Sequence, residues 1–110
     1  MAPPDPQVRI VLITAPNVDV AAELARALVA ERLVACVNVV PGVRSFYRWE
    51  GEVQDDAEVL LIAKTRADRG EALAARVKDL HPYDLPEILE LPATGGSAAY
   101  LAWVQSESSP

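Results

Sequence analysis

The chain has one cysteine and one histidine, so its thiol and imidazole chemistry depends on Cys36 and His81. Cys36 lies in an apolar stretch that predicts a strand, where Asn38 and Val40 share its face because strand side chains alternate. Three roles are open for the thiol. It could pack as a small hydrophobe, react as a thiolate activated by a nearby positive charge, or act as a soft metal ligand.

His81 directly follows a predicted helix. The end of a helix favours a protonated imidazole, so one role for His81 is that of a capping or surface group. Metal coordination is the alternative, although one Cys and one His cannot close a tetrahedral structural site within a single chain. Carboxylates or a second copy of the chain would have to complete the ligand set. A nucleophilic pair of Cys36 and His81 is also open, although the spacing shows no third group to orient the imidazole.

Two charged residues, Glu58 and Lys64, lie on one face of an otherwise apolar predicted strand. If that face is covered, each charge needs a partner, because an unpaired charge is costly to bury. A structural ion pair is the simpler interpretation, and a ligand pocket that uses both charges is the alternative. Acidic residues also follow Trp49 along the chain. They are more typical of a solvated edge that discourages strand aggregation than of a cation site.

Charge and composition exclude several classes of function. Ten Lys and Arg residues against sixteen Asp and Glu give a net charge of −6, whereas a duplex-binding protein needs a basic face to neutralise phosphates. We therefore expect no nucleic-acid partner. No apolar run is long enough for a membrane span, and the sequence has no Walker-type loop, His-Glu-x-x-His or Cys-x-x-Cys motif. A single cysteine and a start that lacks the features of a secretory signal favour a cytoplasmic protein.

Hydrophobic periodicity predicts the elements that must position these residues. The length of 110 residues fits a single domain, which we place at 8–105 between flexible segments at 1–7 and 106–110. The predicted elements follow the order β-α-β-β-α-β-α: Val8–Ile13, Val18–Arg32, the two arms of a hairpin over Ala35–Arg66, Asp68–Leu80, Leu85–Leu91 and Ala98–Gln105. The first six elements predict an α+β, ferredoxin-like (split βαβ) fold, in which both crossover helices cover one face of a four-stranded antiparallel sheet.

The predicted hairpin is too long for a compact domain of this size. Each arm has about 15 residues and would reach roughly 50 Å when extended, at about 3.3 Å per residue. A domain of this length has a radius of gyration near 13 Å, hence a diameter of roughly 34 Å. The arms must therefore bend or project, and a projecting arm with Phe46, Tyr47 and Trp49 would seek a neighbouring subunit. We infer an oligomer, which would also cover the sheet face that the helices leave bare.

Several short sequence blocks, taken together, resemble the CutA family of divalent-cation tolerance proteins. The blocks are Ala35–Asn38, Pro41–Gly42, Tyr47–Gly51, Glu58–Ile62, Lys64–Thr65, His81–Tyr83, Pro86–Glu87 and Tyr100–Trp103. The resemblance extends from about Val8 to Val104. It implies a ferredoxin-like fold assembled as a homotrimer, in which the long β-hairpins pack against neighbouring subunits. It also implies an architecture similar to PII-type signalling trimers, a likeness of fold that is a weak guide to function.

The resemblance also implies a metal ligand and a pocket between subunits. Copper binding is attributed to some family members, and their proposed ligands fall at Ile13, Leu80 and His81 here, of which only His81 can coordinate a metal. We therefore expect copper or another divalent cation to bind weakly. The residues that match the family pattern are expected to line an intersubunit pocket through packing, hydrogen bonding and charge complementarity: Cys36, Asn38, Trp49, Glu58, Lys64 and Tyr83.

These inferences give one leading hypothesis and three alternatives. The leading hypothesis is a trimeric, non-enzymatic protein with a role in divalent metal ion tolerance, which binds the metal weakly or responds to it. The first alternative is a PII-like sensor that binds a small molecule or nucleotide in the clefts between subunits. The other two are an enzyme that uses Cys36 with His81 and a stable scaffold that binds another protein.

Overall fold

A computed structural model describes residues 7–110 of the chain. Over these residues it contains a four-stranded antiparallel sheet with the strand order β2-β3-β1-β4, together with three α-helices. The elements are β1 Val8–Ala15, α1 Val18–Ala30, β2 Cys36–Trp49, β3 Glu52–Arg66, α2 Gly70–Leu80, β4 Ile88–Pro92 and α3 Ala98–Glu107. This arrangement confirms the predicted α+β, ferredoxin-like fold. None of the helices in this part of the chain is both long and apolar enough to cross a membrane.

Helix α1 shows how local signals set the ends of an element. The side chain of Asn17 accepts a hydrogen bond from the Val20 amide at 2.9 Å and caps the first turn. At the other end, Arg32 adopts a left-handed conformation with φ of 59°, and the Leu33 amide donates to the Leu28 carbonyl at 3.0 Å. Because this hydrogen-bond pattern terminates helices, α1 ends before the predicted limit at Arg32.

One face of the sheet carries the main hydrophobic core. Alternate residues of β1 and β3 point toward α1 and α2, as the period of a strand requires. The buried members of this cluster include Val11, Ile13, Leu61 and Ala63 from the strands and Leu24, Leu28, Leu73 and Val77 from the helices. Burial of apolar surface is the main favourable term in folding. Here it fixes both crossover helices against the same face, as predicted.

The opposite face of the sheet, which we call the open face, is apolar but largely uncovered. Leu12 lies between Ile62 and Leu89 in the register of three neighbouring strands, and Leu89 is 58% exposed. Helix α3 covers one end of this face, where Val104 packs against Val8. The open face is the bare surface for which the sequence predicts a cover by other subunits.

Strands β2 and β3 form the long hairpin, and β2 is bulged at Pro41–Gly42. Val40 pairs with Leu60 and Val43 pairs with Glu58, so Pro41–Gly42 opposes a single residue of β3. The glycine of this bulge adopts φ of 81°, which a residue with a side chain rarely adopts. The molecule measures 50 Å along its longest axis against 27 Å and 24 Å across it. These dimensions agree with a hairpin that extends beyond the compact body of the domain.

Boundaries of β1, α2 and β4 also differ from the predicted ones. Strand β1 continues to Ala15 because β3 pairs with it along its whole length. Helix α2 begins at Gly70, after a short 3₁₀ turn over Ala67–Arg69. Strand β4 begins at Ile88, where its pairing with β1 begins. The residues before Ile88 form a loop that approaches the hairpin, and this loop contributes to the site described below.

The two ends of the chain, both predicted to be flexible, differ in what the structure describes. Residues 1–6 of the predicted start lie outside the described part of the chain. At the other end, the structure differs from the predicted tail at 106–110, because α3 continues to Glu107 and Ser108 is fully buried. The Ser108 hydroxyl donates to the Val104 carbonyl at 2.7 Å and accepts from the Arg66 amide at 3.1 Å. A polar composition suggested a frayed end, but these hydrogen bonds make the segment part of the domain.

Candidate functional site

A cavity of about 850 Å³ lies between the hairpin and the loop that connects α2 to β4, and we call it the Glu58 cavity. Its volume falls within the range of small-molecule sites. The aromatic and acidic residues that line it are Phe46, Tyr47, Trp49, Tyr83, Glu58, Asp84 and Glu87. Among the described residues that line it, Arg48 carries the only positive charge. The cavity therefore combines aromatic walls with a negative charge.

The register of the hairpin brings two aromatic side chains to the side of Glu58. Val43 pairs with Glu58, and directly paired residues of antiparallel strands share a face. Alternation from Val43 then places Tyr47 and Trp49 on that same side. The bulge at Pro41–Gly42 is essential to this arrangement, because its extra residue shifts the alternation of the outer half of β2 by one position.

Glu58 is the buried charge of the cavity, with 9% of its surface exposed. The hydroxyl of Tyr83 donates to Oε2 of Glu58 at 3.0 Å. Burial, followed by the hydrogen bond to Glu58, raises the pKa of Tyr83 to about 12, so this phenol stays protonated at neutral pH. Burial, followed by the negative charge of Glu58, also raises the pKa of Glu87. Among residues 7–110, no Lys or Arg forms an ion pair with Glu58.

His81 is buried beside Tyr83 and uses both ring nitrogens within the chain. Nε2 lies 2.7 Å from the Thr14 carbonyl oxygen, and Nδ1 lies 3.1 Å from the Tyr83 amide nitrogen. A carbonyl oxygen accepts and an amide donates, so Nε2 carries the proton and Nδ1 is the acceptor of a neutral ring. The ring centroids of His81 and Tyr83 are 4.7 Å apart. His81 therefore links the end of β1 to the loop that carries Tyr83.

This geometry does not fit a metal ion at His81. A neutral imidazole binds metal through its free lone pair, and the lone pair on Nδ1 already accepts from the Tyr83 amide. Ile13 is fully buried in the apolar core, and neither Ile13 nor Leu80 has a ligand atom. Within the described residues, no three His, Cys, Asp or Glu side chains are grouped so that they could hold a metal ion. The structure supports a positioning role for His81 in place of the expected metal role.

The predicted pocket residues fall into two groups within one chain. The first group lines the Glu58 cavity: Trp49, Glu58 and Tyr83. The second group lies on the open face, outside the cavity: Cys36, Asn38 and Lys64. In this second group the Lys64 ammonium donates to the side-chain oxygen of Asn38, and the Cys36 sulfur lies 3.4 Å from the hydroxyl of Tyr100.

Within the described chain, Glu58 and Lys64 do not form the predicted ion pair, because each has a different partner. The proposed pair of Cys36 with His81 also finds no support. Lys64 of β3 pairs with Cys36 on one side and with Ile10 of β1 on the other. His81 instead contacts Thr14, which lies four residues after Ile10 along β1. Four strand residues span roughly 13 Å, which is too far for a hydrogen bond between thiol and imidazole.

The acidic side chains at the edge of the hairpin accept hydrogen bonds from side chains of the hairpin itself. The Arg44 guanidinium donates to both carboxylate oxygens of Asp55, at 2.8 Å and 2.7 Å, and this hydrogen bonding lowers the pKa of Asp55. The Tyr47 hydroxyl donates to Asp56 at 2.5 Å. These contacts agree with the predicted solvated, charged edge.

Sequence reasoning missed several residues of the cavity. Tyr47 stands two positions before Trp49 on a strand, so alternation could have assigned it to the same side. Thr14, Asp84 and Glu87 carried no such signal. Their place in the cavity depends on contact between a loop and strands that are distant in sequence.

These features define an α+β protein with a ferredoxin-like sheet, an overlong bulged hairpin and a carboxylate-centred cavity beside that hairpin. A family model described as the CutA1 divalent ion tolerance protein matches residues 9–107. The chain is 52% identical over 99 residues to the divalent-cation tolerance protein CutA of Thermus thermophilus, a match that covers 90% of this chain and 96% of the relative. The chain therefore belongs to the CutA1 divalent ion tolerance family.

Solved structures agree with this assignment. The divalent cation tolerance protein of Thermus thermophilus superimposes with a TM-score of 0.91 at 50% identity, covering 93% of this chain and 99% of that one. CutA1 from Oryza sativa gives a TM-score of 0.91 at 46% identity, covering 94% of each chain. The chloroplastic CutA of Arabidopsis thaliana is 48% identical over 90% of this chain, but the match covers only 54% of that longer relative.

Proposed function

We propose that this chain acts as a homotrimeric, non-enzymatic protein in the tolerance of divalent metal ions such as copper. Membership of the CutA1 divalent ion tolerance family supports the cation role. The observation that carries the assembly is the open face, where Leu89 is 58% and Leu91 is 46% exposed. Large exposed apolar patches mark protein contacts. The hairpin, with Trp49 exposed near its tip, supplies a second surface for a neighbouring copy.

The mass of the native particle tests the homotrimer. We expect light scattering and native mass spectrometry to give a particle of three 11.9 kDa chains. Leu89→Glu places a charge on the open face and should shift the protein toward smaller species. Val18→Glu is the matched control, because Val18 is 51% exposed on a helix that covers the other face. A monomeric wild type would refute the trimer, and a trimer that survives Leu89→Glu unchanged would refute assembly through the open face.

We further propose that divalent cations bind weakly and without coordination by His81. The occupied Nδ1 of His81 and the apolar side chains at Ile13 and Leu80 support this view. In a copper titration at pH 7 we expect weak binding that is the same in wild type and in His81→Gln, which keeps a donor and an acceptor at this position. Saturable binding of one ion per chain that disappears in His81→Gln would restore His81 as a ligand.

The nucleotide-sensor alternative is not favoured by the charge of the cavity. Phosphate sites use positive side chains or the amides of a helix N-terminus. The Glu58 cavity has three carboxylates on its walls, those of Glu58, Asp84 and Glu87, against one guanidinium. A nucleotide would therefore meet repulsion there, so we propose no nucleotide function for this cavity.

A cytoplasmic location is part of the proposal. Its support is the single cysteine, which leaves the chain without an internal disulfide. Relatives are named for other compartments, since the CutA of Arabidopsis thaliana is described as chloroplastic and a solved CutA of Archaeoglobus fulgidus as periplasmic. Fractionation of the source cells, followed by detection of the protein with an antibody, tests the location directly.

A further inference from the structure

Glu58 and Lys64 carry opposite charges, and among the described residues neither has an ionic partner. Glu58 is 9% exposed, and the hydroxyl of Tyr83 that donates to it is neutral. The ammonium of Lys64 donates to the amide oxygen of Asn38, which is also neutral. Each charge is therefore hydrogen-bonded within its own chain but is not neutralised there.

The two charges lie on the same side of β3 but cannot meet within one chain. Strand side chains alternate, so positions 58 and 64 both face the side of the open face. Six strand residues span roughly 20 Å, which is farther than the two side chains can reach. An ion pair between Glu58 and Lys64 therefore requires two copies of the chain.

The proposed trimer would remove both charges from water. Lys64 lies on the open face and Glu58 at the base of the projecting hairpin, and these are the two surfaces offered to neighbouring copies. A charge that loses its water without gaining an opposite charge is unfavourable, whereas a buried pair with further hydrogen bonds can be sustained. We therefore expect the neighbouring copies to bring a counter-charge to each of the two residues.

The other cations of the sheet do not suit this carboxylate. Arg44 and Arg48 pair with odd-numbered residues of β3, so they leave the hairpin on the side away from it. Arg9 alternates with the core residues of β1 and lies on the helix side. Arg66 shares the side of Lys64 but already forms an ion pair with an aspartate at 2.8 Å. Lys64 is therefore the remaining cation on the open-face side of the described strands.

We propose that Glu58 of one copy forms an ion pair with Lys64 of the next copy at each interface of the trimer. The inference rests on the proposed homotrimer. A closed ring of three copies uses head-to-tail contacts, in which one surface meets a different surface of the next copy. Each copy offers Glu58 to one neighbour and Lys64 to the other, so both charges of every copy are paired. The contact joins the acidic, aromatic half of the predicted pocket to the half around Lys64.

Mixing two charge-reversed variants tests this pairing between copies. Glu58→Lys alone brings two ammonium groups together at each interface, and Lys64→Glu alone brings two carboxylates together. We expect each variant to assemble about tenfold or more weakly than the wild type. In a mixed trimer, two of the three interfaces join opposite charges. An equimolar mixture should therefore form trimers of both chains, visible by native mass spectrometry at dilutions where each variant alone has dissociated.

Neutral variants provide a second test should a charge reversal fold poorly. Glu58→Gln, Lys64→Gln and the double variant form a cycle, measured as the protein concentration at which the trimer half dissociates. Groups about 20 Å apart in one chain should have additive effects. We expect instead that the double variant dissociates about tenfold less readily than the sum of the single effects. Glu23→Lys and Lys78→Glu, at exposed positions of α1 and α2, are the controls and should assemble like the wild type, alone or mixed.

The outcomes separate this inference from the assembly on which it rests. A monomeric wild type refutes both the homotrimer and the ion pair. A trimeric wild type whose charge-reversed variants assemble no better together than apart refutes the ion pair alone. Additive effects of Glu58→Gln and Lys64→Gln on a trimeric protein refute it as well, and would show that the two charges are neutralised by different groups.

Discussion

The imidazole of His81 donates from Nε2 to the carbonyl oxygen of Thr14, at 2.7 Å. Its other nitrogen accepts from the Tyr83 amide, and the Tyr83 hydroxyl in turn donates to Glu58. One side chain thus connects the end of β1, the loop after α2 and the hairpin. The single histidine of this chain therefore connects elements that surround the cavity, whereas its residue type alone suggested a metal ligand.

Replacement of His81 tests this structural role. His81→Ala leaves the Thr14 carbonyl and the Tyr83 amide without partners, and each buried unsatisfied group costs about 1–3 kcal/mol. We expect the free energy of unfolding to fall by roughly 2–4 kcal/mol, measured by urea denaturation at fixed protein concentration. His81→Gln retains a donor and an acceptor and should lose less. Equal stability of His81→Ala and the wild type would show that these hydrogen bonds contribute nothing.

The raised pKa of Tyr83 makes the stability of the folded chain depend on pH in the alkaline range. An ordinary tyrosine has a pKa near 10, whereas the pKa of Tyr83 in the folded chain is about 12. Between these values the unfolded chain has lost this proton and the folded chain still binds it, so stability falls as the pH rises. The contribution of this phenol is therefore complete below pH 10 and is lost as the pH approaches 12.

The variant Tyr83→Phe isolates this response. Absorbance at 295 nm should show one phenol of the wild type titrating well above the ordinary range, and this phenol should be missing from the variant. The variant should also lose less stability than the wild type between pH 10 and pH 12. A titration curve that is unchanged at its alkaline end would assign the raised pKa to a different tyrosine.

Ser108 should contribute to stability although only two residues follow it in the sequence. Ser108→Ala removes a buried hydroxyl that bridges the Val104 carbonyl and the Arg66 amide. We expect a loss of about 1–2 kcal/mol in thermal or urea unfolding. Ser106→Ala, at an exposed position in the last turn of α3, is the control and should have little effect. Identical unfolding curves for the two variants would support the frayed end that the composition suggested.

Cys36 should react as an ordinary thiol. Its hydrogen-bonding neighbour is the Tyr100 hydroxyl, and no positive group donates to the sulfur among the described contacts. Because no described cation donates to the sulfur to activate it, we expect slow labelling by a disulfide reagent at pH 7, at the same rate in the wild type and in His81→Gln. Rapid labelling that slows in His81→Gln would support the enzymatic alternative.

The fold could be predicted from sequence because its core residues recur with the regular spacing of strands and helices. The apolar run of β1 identifies a buried strand, and the helical stripe of α1 identifies Leu24 and Leu28 as core residues. The end of α1 did not follow from sequence. An arginine in a left-handed conformation has no compositional signature, so Arg32 looked like one more residue of the helix.

The site was only partly predictable. The resemblance assigns Trp49, Glu58 and Tyr83 to a pocket between subunits, which stays a prediction. Within one chain these three residues line the Glu58 cavity. The resemblance assigns Lys64 to the same pocket, but within one chain the Lys64 side chain donates to Asn38 on the neighbouring strand β2. Such partner choices depend on side-chain conformation across the sheet, which no spacing rule encodes.

The bulge at Pro41–Gly42 determines which side chains of β2 lie on the same side as Glu58. Before the bulge, even-numbered residues of β2 such as Cys36 share the face of Glu58, and after it odd-numbered residues such as Trp49 do. If the same sequence paired without the bulge, the outer arm would slide by one residue and bring Arg48 to the side of Glu58 in place of Trp49. A guanidinium would then neutralise the carboxylate, and the aromatic wall would face away. A one-residue slip of register, without any change of side-chain identity, is therefore enough to erase the site.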